Sequence, residues 1–251
     1  MKILYLGDIV GESSLRAVSQ AIKQIKAEYG INLVFVNAEN VSGGKGLYER
    51  HYKELKKMGV AAISMGNHTF SKSEIINYMD DATIVRPANL NTNHGKEVLY
   101  INYNNETIAL VNLLGRVFSN TPLDCPFKTM DRLLEEINAD YIIVDFHGDA
   151  TSEKKAFLYD FAGKVDVVVG SHTHTQTSDA TVYNNTCFIT DMGMCGGYNS
   201  VIGDDPDMVI ERFRTGVFTP LKVSNDSSIL IQGVVIDLGV KRCITRISKI
   251  I

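Results

Sequence analysis

The sequence has little positive charge to spare. Its 25 Lys and Arg are outnumbered by 29 Asp and Glu, leaving a net charge of −4. No basic run stands out, which argues against a dedicated nucleic-acid surface. A small anionic substrate remains compatible, because bound metal can supply positive charge locally. Cysteine is sparse too. Cys125, Cys187, Cys195 and Cys243 form no CxxC, a spacing that suits neither a zinc ribbon nor a disulfide scaffold. Reduced, mostly buried thiols in a cytosolic protein are expected instead. No uninterrupted apolar stretch approaches bilayer-spanning length. The opening Met1-Lys2-Ile3-Leu4-Tyr5-Leu6-Gly7-Asp8 is too short and too soon acidic for a signal peptide. These absences lead to the expectation of a soluble, cytoplasmic protein with no membrane contact. Repeats, low-complexity segments and linkers are also missing.

What is present is specific in its arrangement. With 251 residues and 45% hydrophobic content, the chain can bury a full core. One domain over residues 1–251 is the simplest expectation. Ile3–Leu6 reads as a buried strand. The shared face of Leu15, Val18, Ala21, Ile22 and Ile25 predicts a helix from Leu15 to Tyr29. A strand over Leu33–Val36, a helix over 48–58 closed by Gly59, and a strand over Ala61–Met65 follow. Ser71 and Glu74 suggest a capping box opening a helix over 72–79. Arg86–Asn89 reads as a loop, and Val98–Tyr103 with Thr107–Leu113 as a hairpin around Asn104-Asn105. Helices over 129–138 and 153–161 flank the strand Tyr141–Phe146. Strand-like runs recur at 165–169, 187–190, 217–223, 229–237 and 242–248. The pattern predicts an α/β layered sandwich of mixed β-sheets flanked by helices, not a purely parallel doubly wound fold.

Metal-type ligands cluster after these strands. His172 and His174 follow Val165–Val169 at i, i+2 spacing, which in an extended segment puts both imidazoles on one side. Asp8, Glu39-Asn40, Asn67-His68 and His147 follow four other apolar runs, where open α/β sheets gather their functional groups. Taken singly, each has an ordinary reading. Asp8 could cap a turn, Glu39, Asn40 and Asn67 could be turn residues, and His147 could be structural. Jointly, five coincident strand ends point to a site. Carboxylate, amide and imidazole donors without thiolates suit Fe, Mn or Zn rather than structural zinc. Their number exceeds one ion's needs. Two ions about 3.5–4 Å apart, sharing a carboxylate, can polarise a phosphoryl oxygen and generate a hydroxide nucleophile.

These residues resemble the calcineurin-like metallophosphoesterases. Gly66-Asn67-His68 is similar to that family's GNH motif, and Gly170-Ser171-His172-Thr173-His174 to its GHxH with one residue inserted. Gly7-Asp8 resembles the first metal-binding aspartate. Two departures narrow the resemblance. The usual DxH is replaced by Asp8-Ile9-Val10, and GDxxD by Asn37-Ala38-Glu39-Asn40. With Gly7–Gly11, Gly44-Lys45-Gly46, Met65–Thr69, Val85–Asn89, Asp145–His147 and Ala150–Lys154, the chain resembles the YmdB-like bacterial branch nearly end to end.

The resemblance implies a metallophosphoesterase-type sandwich and a dinuclear phosphodiesterase acting on cyclic nucleotides or small phosphodiesters. It implies that Asp8, Glu39, Asn40 and His174 hold one ion. Glu39, Asn67, His147 and His172 would hold the other, with Glu39 bridging. His68 would be the general acid rather than a ligand. The ions implied are two per chain, iron first and manganese second. Two rivals stay open: a regulatory nucleotide- or phosphoprotein-binding protein with little turnover, and a phosphomonoesterase or nucleotidase. A homo-oligomer is compatible with the sequence.

Other residues carry weaker expectations. His51 lies in a polar helical stretch and is expected at the surface, and His94 in a loop. Lys45 could approach a phosphate, although its segment lacks a Walker pattern. Arg86 and Arg116 could contact substrate oxygens or form salt bridges. Asp145 and Asp191 could orient ligand histidines. Gly193, Gly196 and Gly197 are expected to shape a loop.

Overall fold

Apolar runs bounded by turn residues set two sheets. The computed structural model describes residues 1–251. In chain order its strands are β1 (Lys2–Leu6), β2 (Asp8–Ile9), β3 (Leu33–Asn37), β4 (Ala62–Ser64), β5 (Ile84–Val85), β6 (Val98–Tyr103) and β7 (Glu106–Leu114). There follow β8 (Tyr141–His147), β9 (Val167–Ser171), β10 (Thr181–Tyr183), β11 (Thr186–Ile189), β12 (Met194–Gly197), β13 (Ile229–Asp237) and β14 (Cys243–Ile250). The helices are α1 (Gly11–Tyr29), α2 (Glu49–Lys57), α3 (Pro126–Glu136), α4 (Thr151–Phe161) and α5 (Pro206–Thr215).

The first sheet runs β2-β12-β13-β1-β3-β4-β5, with β14 beside β13. In it β1, β3, β4 and β5 are parallel, and β13 is antiparallel to β1. The second runs β10-β11-β9-β8-β7-β6. Its centre is parallel and its edges antiparallel. The central strands of each sheet are buried on both faces, and strand alternation divides their residues between two cores. Along β1, Ile3 and Tyr5 pack with Ile143 and Val169 of the second sheet. Leu4 and Leu6 turn the other way, toward Leu15, Val18 and Ile22 of α1. On the far side, Val144 and Phe146 meet Phe157 and Phe161 of α4. Truncating the fully buried Phe157 to alanine should cost about 3–5 kcal/mol. The result is helix, sheet, sheet, helix: the expected mixed-sheet layered sandwich.

Several local expectations need correction. α1 begins at Gly11 rather than Leu15. The helix expected over 72–79 is only a 3-10 segment, Ser73–Asn77, without a side-chain cap. The capping-box residues are engaged elsewhere: Glu74 Oε1 accepts from the Glu49 backbone N–H at 2.8 Å, at the start of α2, and Ser71 Oγ lies 3.2 Å from His68 Nδ1. The run 217–223 forms no strand. It is an exposed segment interrupted by Pro220, with only an isolated bridge at Val223. α5 is absent from the sequence expectations; it is short, and Val209 is its one buried residue. Its signals are polar: Asp205 accepts from two backbone N–H groups, Pro206 opens the helix and Gly216 closes it at φ 69°. Gly59 does end α2, at φ 83°. No helix is long and apolar enough to cross a membrane.

Candidate metal centre

The parallel strands point their carboxyl ends at one region. Side-by-side pairing of β1, β3 and β4 gathers Asp8, Glu39-Asn40 and Asn67-His68 at one end of the first sheet. In the second, His147 of β8 pairs with Ser171 of β9, which sets His172 beside it. Four groups converge. His147 Nε2 lies 2.9 Å from Asn67 Oδ1, 3.0 Å from His172 Nδ1 and 3.2 Å from Glu39 Oε1. Asp8 joins from below: its Oδ2 accepts from the His172 backbone N–H at 3.2 Å, and its Oδ1 sits 3.8 Å from His147 Nδ1.

Asn40 and His174 stand on the other side. The Asn40 amide donates to Gly44 O at 2.9 Å, and His174 Nδ1 donates to Ile202 O at 2.6 Å. The latter bond leaves His174 Nε2 as its free lone pair. His68 lines the same cavity as Asn40 and His174. Its backbone N–H donates to Glu39 Oε2 at 2.8 Å.

The way His172 and His174 reach the centre differs from the expectation. β9 stops at Ser171, and both histidines have positive φ, 100° and 61°. Strand alternation therefore does not align them. His172 faces His147, while His174 is turned toward the Ile202 loop.

A buried polar seam between the sheets supports this layout. Asp145 Oδ2 accepts from Ser64 Oγ at 2.5 Å and Asn37 Nδ2 at 3.1 Å, with the Tyr5 hydroxyl at 3.3 Å. Its Oδ1 accepts from Ser171 Oγ at 2.6 Å, and Ser171 Oγ lies 2.9 Å from His147 Nδ1. Asp145 therefore orients His147 through Ser171, not directly. Asp191 does not reach an imidazole. It accepts from the backbone N–H groups of Thr173 and Gly193 and from Lys154 Nζ, at 3.0, 2.9 and 3.1 Å, and so fixes the histidine loop.

The donor set fits a cation. Asp8 is fully buried, yet its Oδ1 has no hydrogen-bond partner, and neither does Asn40 Oδ1. Buried oxygens without partners are costly and rare. Ligand atoms of Glu39, His147 and His172 lie within 4.8 Å of one another, near enough to share an ion. Gly66 lacks a Cβ for the same reason: one placed there would fall on Glu39 Oε2 and His147 Nε2. Gly170 is required separately, since its Cβ would collide with the Thr190 carbonyl.

Charge follows the geometry. Burial works against Glu39's ionisation, but adjacent His147 overrides it and holds the carboxyl at about 2. Burial likewise opposes a charged His147, and Glu39 carries it to about 9. Burial lifts Asp8 to about 6, with His174 pulling the other way. His172 falls to about 4 through burial and the neighbouring His147. Burial also lowers His68.

Other candidates fall outside. His51 is a correction: it is buried, with Nδ1 2.8 Å from Ser42 Oγ, because α2 turns it inward against the Gly43–Gly46 loop. Arg86 is buried and bound to the carbonyls of Pro87, His94 and Thr92 and to Glu97, so its role is structural. Arg116 and His94 are exposed. Lys45 is exposed on the cavity rim. Gly196 and Gly197 lie in β12 rather than a loop. Cys187 and Cys195 are buried, Cys125 is partly so and Cys243 is exposed; the expected burial holds for two of four. Sequence reasoning missed Asp149, whose Oδ1 lies 3.4 Å from His172 Nε2, and gave no role to Ser171, although it stands inside the histidine motif.

Comparison with known proteins gives a consistent picture. The family model described as "YmdB-like protein" matches residues 4–250. A Bacillus subtilis protein named 2′,3′-cyclic-nucleotide 2′-phosphodiesterase is 40% identical over 243 residues, covering 95% of this chain and 91% of that one. The crystal structure of a Mycoplasma pneumoniae protein described as a novel phosphatase superposes with a TM-score of 0.93 at 36% identity, covering 100% of this chain and 93% of that one. A Thermus thermophilus protein described as hypothetical superposes with a TM-score of 0.92 at 35% identity, covering 100% and 99%.

Proposed function

The chain belongs to the YmdB-like family, and from that premise we propose that it is a phosphoric ester hydrolase, a dinuclear metal-dependent phosphodiesterase of cyclic nucleotides or small phosphodiesters. The observation that carries this reading is the convergence of Glu39, Asn67, His147 and His172 beside a buried, unpartnered Asp8 oxygen. Glu39, Asn67, His147 and His172 would hold one ion. Asp8, Asn40 and His174 would hold the other, with Glu39 shared. The whole of residues 1–251 would serve as one catalytic unit. Iron is the first candidate metal and manganese the second, since these donors suit both. When bound, such a pair supplies Lewis acidity at the phosphoryl oxygens and lowers the pKa of water.

The chain's own residues do the rest. Glu39 stays ionised in the buried site and neutralises positive charge there. Ser171 and Asp145 hold the His147 ring so that Nε2 faces the centre. Contact of His68 Nδ1 with Ser71 leaves Nε2 for the cavity, where it would protonate the departing alkoxide.

Metal analysis and bis(p-nitrophenyl) phosphate hydrolysis on one anaerobically purified sample test the reading. About two ions per chain are expected. His68→Ala should keep them and lose kcat by roughly 10²–10⁴-fold, whereas Glu39→Ala should lose metal. Loss of metal in His68→Ala would reverse the role assignment, and full occupancy in Glu39→Ala would remove the bridge. Two ions with bound but unhydrolysed nucleotide would indicate the regulatory binding protein.

A further inference from the structure

Two cavities meet at the metal centre and share Asp149 and His172. The smaller, about 260 Å³, lies on the Asn67–His147 side beneath the loop at Phe118. The larger, about 560 Å³, opens on the Asn40–His174 side. Small-molecule sites commonly hold about 300–1,000 Å³, a range that only the larger of these two reaches. Its lining includes Lys45, Lys72 and Arg212, the carboxylates of Asp149 and Asp204, and the apolar Phe218, Pro220 and Leu221. Beside the candidate metal ligands it thus offers both cationic groups and an apolar surface, features suited to a molecule that carries an anionic group and a flat apolar one.

Two details sharpen the match. The Arg212 guanidinium lies 4.5 Å from the Phe218 ring centroid, while Phe218 remains 72% exposed. An aromatic ring backed by guanidinium, with its remaining surface open beside a catalytic cleft, is a stacking platform for a nucleobase. Secondly, His68 lines the larger cavity and not the smaller. In a cyclic nucleotide the leaving oxygen stays on the ribose, so the nucleoside must lie on the side from which the proton is delivered.

We propose that the larger cavity is the nucleoside subsite, with the base stacked on the Phe218–Arg212 pair. On this assignment Phe218 is a specificity residue that favours base-bearing cyclic phosphates over base-free ones. The assignment rests on the phosphodiesterase reading for its substrate class. It explains why Arg212 of α5 and an exposed phenylalanine on the segment that follows are held together, where packing alone demands neither.

The test compares adenosine 2′,3′-cyclic phosphate with methyl riboside 2′,3′-cyclic phosphate, identical at the reacting phosphate but lacking the base. In the wild-type protein the adenosine compound should have a KM lower by roughly 5- to 150-fold, the range of one base–aromatic stack. Phe218→Ala should erase that gap by raising KM for the adenosine compound, with kcat and the base-free KM unchanged. Phe218→Trp should restore the gap. Phe118→Ala, in the smaller cavity, should leave it intact. Equal KM values in the wild type, a gap that survives Phe218→Ala, or a gap lost in Phe118→Ala would overturn the assignment. Should neither compound be hydrolysed, nor bis(p-nitrophenyl) phosphate, the phosphodiesterase reading fails, and equilibrium binding still judges the subsite. A base-dependent Kd lost in Phe218→Ala would support it, and equal Kd values for the two compounds would overturn it.

Discussion

The two halves of the candidate metal centre are built differently. The His147 half is held from strand ends: Asn67, Glu39 and His172 already stand within 3.2 Å of His147 Nε2, and the imidazole is backed by Ser171 and Asp145. In the other half Asp8 comes from β2, but Asn40 and His174 are held from loops. Their side chains lean on the carbonyls of Gly44 and Ile202, and Asn40 Oδ1 has no partner. One half is positioned by a network that also joins the two sheets; the other depends on single backbone contacts. Position therefore costs the fold more in the first half, and that half is where damage should spread beyond the site.

Asp145→Ala should break the contrast most severely. It strands the buried donors of Asn37, Ser64 and Ser171, each at about 1–3 kcal/mol. Urea unfolding should show a several-kcal/mol loss, and metal content should fall with it. A variant with wild-type stability would mean that the sheets do not rely on this seam. Next comes His174→Ala, which should lower metal content from about two ions per chain to about one. After chelation its thermal midpoint should equal that of the wild type, because the side chain's hydrogen bond is to a single loop carbonyl. A large loss of stability in the chelated variant would show that the loop half is structural as well.

Ser171→Ala is milder and separates orientation from coordination. Removing the group behind a ligating imidazole weakens metal by roughly 10–100-fold, readable by competition with a chelator. Unchanged affinity would show that packing alone holds His147. The smallest effect lies away from the site. Burial works against Asp179's ionisation, but hydrogen bonds from Thr190, Thr177 and Lys155 lower its pKa below the ordinary value. A depressed carboxyl contributes stability above its unfolded pKa of about 3.9, and that contribution is lost as pH falls toward the folded value. The stability advantage of wild type over Asp179→Asn should be present at neutral pH and shrink below about pH 4. A constant difference would show that the hydrogen bonds, not ionisation, matter there.

The same contrast explains what could be read in the sequence. Glu39, Asn67 and His147 follow short apolar runs whose continuous burial and parallel pairing dictate where the following residues go, so the fold class and the strand-end cluster were legible. The role of Ser171 was not, because it depends on Asp145 two strand positions above His147 and on donors from the opposite sheet. His174 escaped the alternation rule once the backbone turned to positive φ. His51 looked exposed because its helix is polar in composition, yet the burial of one helix face is decided by the loop it meets. α5 and the segment at Phe218 left little apolar signal to read, since almost nothing in them enters the core.

Strand β13 has a consequence in time. It pairs with β1 through Gly233–Asp237 and with β12 through Ile229–Ile231, so residues synthesised long after β1 form its neighbour. Until they emerge, one long edge of β1 has no hydrogen-bonding partner and stays open to stray pairing. The turn that carries Asp8 is likewise unfinished, because the Gly7 N–H donates to the Gln232 carbonyl. The Asp8 corner of the candidate centre therefore takes its final shape only once β13 has docked against β1.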